Sequence, residues 1–144
     1  MIGPAGKSHP SVIASYGASK DARRATANRL VKGVAAMIYE LRVYRCVPNR
    51  MPALLKRFET ATLRIWEKHG IRQAGFWTTM IGESNQDLTY LLAWESLAER
   101  EKKWSAFVSD PEWLAARDAS EMDGPIVATF SNSILQPTSF SSVR

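Results

Sequence analysis

Three side chains with chemistry to offer stand at alternate positions in "MIYELRVYRCV", residues 37–47: Glu40, Arg42 and Tyr44. In an extended strand successive side chains point to opposite faces, so these three share a face with Cys46. Tyr39, Leu41, Val43 and Val47 share the other. The functional reading makes Arg42 the holder of an anionic or enolate oxygen, Tyr44 a hydrogen-bond donor and Glu40 the group that takes a proton. The structural reading is a cross-strand ion pair beside an interface tyrosine. It carries more weight, because polar residues alternate on many strands. If Leu41 faces the helices, Glu40, Arg42 and Tyr44 point toward a barrel or its rim.

Few other residues invite chemistry. His69 is the one histidine beyond residue 36. It could ligate haem iron or act as a base, but at a helix C-terminus it serves the last carbonyls, and that reading is preferred. Trp66, Trp77, Trp94, Trp104 and Trp113 read as core or as the wall of an apolar pocket. Trp77, Trp94 and Trp113, with His69, are the candidates for lining such a pocket. Asp110, followed by proline, reads as a helix cap and not as a catalytic acid. One histidine in the body nearly excludes a Ser-His-Asp triad, and no Gly-rich phosphate loop is present. Nitrogen and sulfur ligands are too few for zinc. No metal and no cofactor are expected.

These residues must be positioned by regular elements. Residues 38–47 alternate as a half-buried strand does, and Pro48 and Asn49 end it. Pro52 suits a first helical turn. Leu54, Leu55, Phe58, Ala61, Thr62, Ile65, Trp66 and His69 follow at helical spacing, with Gly70 as a left-handed stop. The spacing predicts a helix over 51–69. A strand over 71–81, turn chemistry in "GESNQD" and a strand over 88–95 make an antiparallel hairpin. Ser96 with Glu99 forms a capping box that opens a second helix. Asp110 caps a third, running to about residue 121, and a last strand spans 126–135. The order β-α-β-β-α-β, with the second helical segment split at Asp110–Pro111, predicts an α+β, ferredoxin-like four-stranded antiparallel sheet with helices on one face. Phe76, Leu92, Trp94, Ile126 and Phe130 supply more apolar strand surface than one helix layer covers. Pairing of two sheets across a two-fold axis, as a dimeric α/β barrel, would cover the rest.

The charge is uneven. The chain of 144 residues carries a formal +5. Residues 1–36 hold six basic residues against Asp21 alone, and the remaining basic and acidic residues balance. The basic character therefore belongs to the first 36 residues, and the body gives no electrostatic case for nucleic acid. Residues 1–36 are expected to be a disordered basic extension, with a short helix from Ser19 to Val34 as an option. An over-extended gene start with Met37 as initiator is favoured over a native basic arm or a transit-like segment. Residues 37–144 form the domain. No window offers the roughly 18 apolar residues of a membrane helix, so no transmembrane segment is expected. The single Cys46 suits a reducing compartment, and a cytoplasmic location is expected.

Several segments together resemble the NIPSNAP family. They are "YELRVY" (39–44), "EKHGIRQAGFW" (67–77), "LTYLLAWES" (88–96), "WSAFVSDPEW" (104–113) and "GPIVATFSNSILQPTSFS" (124–141). The resemblance spans about residues 37–141 and leaves the basic extension outside. It implies a dimeric α/β barrel domain. Relatives of that broader fold include cofactor-free monooxygenases, isomerases and haem-handling enzymes. NIPSNAP members are also linked to vesicle, mitochondrial and membrane-associated roles. A shared fold does not fix chemistry. The expectation is a homodimer with a pocket that binds or converts a mainly apolar small molecule, in the manner of a cofactor-free oxygenase or isomerase. The alternative is a non-enzymatic adaptor for a protein or membrane partner.

Overall fold

The computed structural model describes residues 37–143; the basic segment 1–36, with the helix expected from Ser19, lies outside the described residues. Strand β1 is Ile38–Cys46. Helix α1 follows in three continuous stretches: Met51–Arg57, a wider π-helical Phe58–Thr62, and Leu63–Lys68. Pro52 occupies its first turn, where a missing N–H costs nothing. In the wide turn the Thr62 hydroxyl donates to the Arg57 carbonyl five residues back at 3.2 Å. Gly70, at φ +65°, ends the helix in the left-handed conformation expected at its position.

Strands β2 (Arg72–Thr78) and β3 (Asp87–Trp94) form the hairpin. β2 is shorter than expected. Pairing stops where Thr78 faces Leu88, and Met80 and Ile81 pass into the connecting turn, almost fully exposed. Helix α2 is Leu97–Val108 and helix α3 is Pro111–Ser120. The Ser96 hydroxyl caps the first by accepting from the Glu99 N–H at 3.1 Å, and the Asp110 carboxylate caps the second from the Glu112 N–H at 2.8 Å. Each cap satisfies a donor that would otherwise end the helix unpaired. Strand β4 is Val127–Leu135.

The four strands form one sheet in the order β2-β3-β1-β4, antiparallel throughout. This is the α+β, ferredoxin-like arrangement that the element order predicts. The register sets Glu40 opposite Leu92 and Ile134, Arg42 opposite Tyr90 and Asn132, and Tyr44 opposite Leu88 and Phe130.

Leu41 does not face the helices. Tyr44 packs on Phe58 of α1, Arg42 lies over Trp104 of α2, and Cys46 belongs to the core cluster. Glu40, Arg42 and Tyr44 therefore point at the helices, and Leu41 and Val43 point away from them. The assignment of surplus apolar surface changes with this. Leu92, Trp94 and Ile126 are wholly buried beneath the helices, and Phe76 stacks on Tyr90 there. Phe130 lies on the same side but at the uncovered β4 edge, 62% exposed. The helix-free face instead carries Leu41, Val43, Leu91 and Ala93 at its centre, all half-buried, with Leu41 directly opposite Leu91. The physical reason is the rest of the helix-side face: Tyr90, Leu92 and Trp94 build the larger apolar surface, and β1 must follow its neighbour's pleat.

Candidate functional site

The centre of the site is the Glu40 carboxylate, which is completely buried. Five donors converge on it. Oε1 accepts from Arg42 Nη1 at 2.7 Å, Arg100 Nη2 at 2.9 Å and Asn132 Nδ2 at 3.0 Å. Oε2 accepts from Arg100 Nε at 3.0 Å and Trp94 Nε1 at 3.2 Å. Burial pushes this carboxyl up, but the hydrogen bonds of Arg100 and Asn132, with the charge and hydrogen bond of Arg42, outweigh it and lower its pKa to about 2. A carboxylate so held, with its lone pairs taken, is a poor proton acceptor. The proton-taking role expected of Glu40 gains nothing from this geometry; its part is to orient two guanidiniums.

Arg42 is buried beside this carboxylate. Besides Glu40, its Nε donates to the Tyr90 hydroxyl at 2.9 Å and its Nη2 to the Tyr44 hydroxyl at 3.2 Å. Its guanidinium carbon lies 4.4 Å from the Trp104 ring centre and within 6 Å of those of Tyr44 and Phe130. Burial opposes its charge, yet Tyr90, Tyr44 and Glu40 more than compensate and raise its pKa. The Tyr90 phenol is pushed well above its usual range, by burial first and by Tyr44 beside it. Both groups keep one protonation state over the ordinary pH range: a cation and a neutral phenol. A guanidinium has five N–H groups, and one on each Nη makes none of these bonds.

Two guanidiniums thus face one carboxylate. Tyr90, Arg100, Trp104 and Asn132 complete the cluster; of the four only Trp104, as core or pocket wall, is singled out by the sequence. Tyr90 has a visible signal, an alternate position in the hairpin strand opposite Arg42, but it needs the register. Arg100 lies in "AEREKK", which reads as a solvated charged helix face.

The expected pocket-lining residues do not gather here as a set. Trp94 does, as a donor to Glu40. Trp77 is on the helix-free face and half exposed, its ring folded over Gly75, where an added Cβ would sit 2.6 Å from the ring. Trp113 packs on Phe107, ring centres 4.7 Å apart. His69 ends α1 and contacts Asp110 Oδ2 at 2.7 Å, beside Lys68 Nζ, also at 2.7 Å. Hydrogen bonds from Lys68, His69 and the Glu112 amide hold the Asp110 carboxyl well below its usual range. The triplet ties the end of α1 to the start of α3. Among the described residues no three His, Cys, Asp or Glu side chains come together as a metal site. No helix among them is long and apolar enough to cross a membrane.

Clefts of about 400, 190 and 140 Å3 open on this part of the chain, and neither Arg42 nor Tyr44 lines any of them. The space over Arg42 is filled by aromatic rings, of which Phe130 is the outermost.

Fold and cluster define a ferredoxin-like α+β domain with a guanidinium-centred polar core under its helices. Residues 39–142 match the NIPSNAP family, and the chain belongs to it. It is similar to an uncharacterized NIPSNAP-like domain protein from Burkholderia xenovorans, 28% identical with a TM-score of 0.66 over 75% of this chain and 90% of that one. It is also similar to a NIPSNAP family protein with unknown function from Agrobacterium tumefaciens, 27% identical with a TM-score of 0.68 over 76% and 96% of the two chains. A dimeric protein of unknown function and ferredoxin-like fold from Bacteroides fragilis shares the fold at 12% identity, TM-score 0.51, over 71% and 97%. No curated protein matches the chain.

Proposed function

We propose that this NIPSNAP protein is a homodimer that binds a flat, mainly apolar, weakly acidic small molecule at Arg42. The observation that carries the reading is the surplus of buried positive charge: Arg42 and Arg100 share one carboxylate, and Arg42 keeps unengaged N–H groups inside a ring of aromatic faces. A buried cation without a full counter-charge is costly, and an oxyanion on Arg42 would supply the missing charge. Tyr44 and Tyr90 orient the guanidinium for it, Trp104 offers a flat wall, and Phe130 must swing outward to admit it. Conversion of the ligand, as by a cofactor-free oxygenase or isomerase, would have to proceed without Glu40 as base. The adaptor alternative draws on the dimer surface, the basic segment 1–36 and the family's membrane-associated roles, and not on the Arg42 cluster.

The dimer is supported by the apolar centre of the helix-free face, too broad to leave in water on a small domain, and by the dimeric state of the Bacteroides fragilis protein of the same fold.

The test uses 2-naphthoate as probe in a thermal-shift titration, since a ligand that binds only the native state raises the midpoint by mass action. The wild-type midpoint should climb with millimolar 2-naphthoate. Arg42→Lys, which keeps a charge but loses the planar fork, should reduce the climb markedly. An equal climb in both proteins, or none in the wild type, would sink the assignment.

A further inference from the structure

A second site lies between α1 and α3, away from Arg42. Both helices present alanines to each other there, Ala53 and Ala61 from one and Ala116 and Ala119 from the other. The α3 helix buries no residue completely. A cleft of about 400 Å3 remains, within the range of small-ligand pockets. Two cations line it, Lys56 and Arg57, with the hydroxyls of Thr60 and Ser120.

Arg57 is the unusual member. Its side chain is only 6% exposed. Nη1 is committed, to Glu121 Oε1 at 2.9 Å and Ser120 Oγ at 3.2 Å. Nε is buried and has no partner among the described residues, and Nη2 makes no hydrogen bond to them either. Nε–H and the outer Nη2–H lie on one edge of the guanidinium, the edge a carboxylate takes side-on. The protein itself uses that edge in this way elsewhere. Arg100 closes Nε and Nη2 on the two oxygens of Glu40, and Arg45 closes the same pair on Asp87. In Arg57 the fork stands open, although an unpaired buried donor is rare and asks for an explanation. The opposite edge is fixed by Glu121 and the face by Trp113, 5.5 Å from its ring centre, so the orientation of the fork is set. Lys56 is exposed and forms no ion pair among the described residues, so cleft and rim carry two positive charges against Glu121.

We propose that the α1–α3 cleft binds a small carboxylate with a short apolar tail. The carboxylate closes on the Nε–Nη2 edge of Arg57, Lys56 covers its outer side, and the tail lies along the alanine walls. Nε is just covered, so closure on it requires a small shift of the side chains above.

The probe is octanoate, titrated into the full chain and followed through the Arg57 Nε–H resonance by nitrogen–proton NMR. That resonance should move in saturable fashion. Octanol should leave it in place, which separates charge recognition from apolar binding, and inorganic phosphate should bind at least about tenfold more weakly for want of the tail. Ala116→Leu fills the cleft from a half-buried position. It should weaken octanoate about tenfold or more while the thermal midpoint without ligand is unchanged. Lys56→Gln should weaken it less. Arg42→Lys should leave octanoate binding as it was, so that this site and the Arg42 site stand or fall separately. An unmoved Arg57 Nε–H at saturating octanoate, equal binding of octanol, or full affinity in a folded Ala116→Leu variant would each overturn the proposal.

Discussion

Replacing Glu40 by glutamine is the sharpest probe of the buried cluster, because its effect must depend on pH in a set way. The Glu40→Gln side chain would keep the size of glutamate and one acceptor oxygen, but its amide would face Trp94 Nε1 or Arg100 Nε, both of them donors. The charge term can be worked from the carboxyl itself. Its pKa is about 2 in the folded protein against an ordinary 4.5. A folded pKa below the unfolded one stabilises the protein above the unfolded value and is lost as pH falls through the folded value. At about 1.4 kcal/mol per pKa unit the contribution is roughly 3 kcal/mol at pH 7. Binding of protons to both states reduces it to roughly 1 kcal/mol at pH 3. The other depressed carboxylates, Asp87, Glu99, Asp110 and Glu112, titrate alike in both proteins and drop out of the difference. Urea unfolding followed by tryptophan fluorescence, at pH 7 and at pH 3, should show the gap between wild type and Glu40→Gln narrow by roughly 2 kcal/mol on acidification. A gap of the same size at both pH values would mean that the Glu40 charge does not hold the cluster, and the case for Arg42 as a pre-organised anion site would go with it.

Three further outcomes follow from the packing. Leu91→Glu, at the centre of the helix-free face, should bring the mass by light scattering from about twice the 16.1 kDa chain to that of one chain, with the helical circular dichroism kept; Ile126→Glu should instead abolish folding, since Ile126 is wholly buried. Asp110→Ala should lower the urea midpoint by more than Asp110→Asn, which keeps an oxygen to cap α3, and a smaller effect of alanine would remove the cap from the account. The joint replacement Glu40→Leu, Arg42→Met, Arg100→Leu should leave the thermal midpoint equal or higher, as for other buried ion groups exchanged for apolar ones, whereas Arg42→Met alone should lower it; a large loss in the triple variant would make the cluster a device of stability.

The elements were legible because each has local punctuation. Pro52 and Gly70 bracket α1, Ser96 and Asp110 cap α2 and α3, and the alternation from Ile38 to Cys46 is that of a strand. Facing was not legible. Both sets of alternate residues in β1 contain large side chains, and the choice between them is made elsewhere, by Tyr90, Leu92 and Trp94 on β3 and by Arg100 on α2. Glu40 can be buried only because Arg100, sixty positions away, reaches it with two bonds, and nothing within "YELR" announces that partner. The same distance hid Asn132. The wide turn at Phe58–Thr62 has no punctuation of its own, and "FETAT" reads as ordinary helix. Trp77 misled through type alone: its ring serves the close approach over Gly75, a contact set by the bulge at Gln73–Gly75 in β2.

Arg42 and Arg57 pose one physical problem twice. Each is a guanidinium nearly withdrawn from water, held by a carboxylate on one side, flanked by a tryptophan face, and left with donors that no described protein group takes. Stability alone is not expected to require either arrangement. Apolar side chains would fill both places without the desolvation of a charge, and a lysine could keep its charge in solvent. What a fixed, half-satisfied guanidinium does offer is a planar donor edge whose orientation is already settled before an anion arrives, so that little freedom is lost on binding. The two places differ in access. Arg57 opens on a standing cleft, while Arg42 lies behind Phe130. A ligand at Arg57 should therefore need only a small shift of the side chains over Nε, and one at Arg42 should associate only as often as the Phe130 ring leaves its place over the guanidinium. Slow, ring-gated association at Arg42 beside faster association at Arg57 is the outcome the two proposals predict.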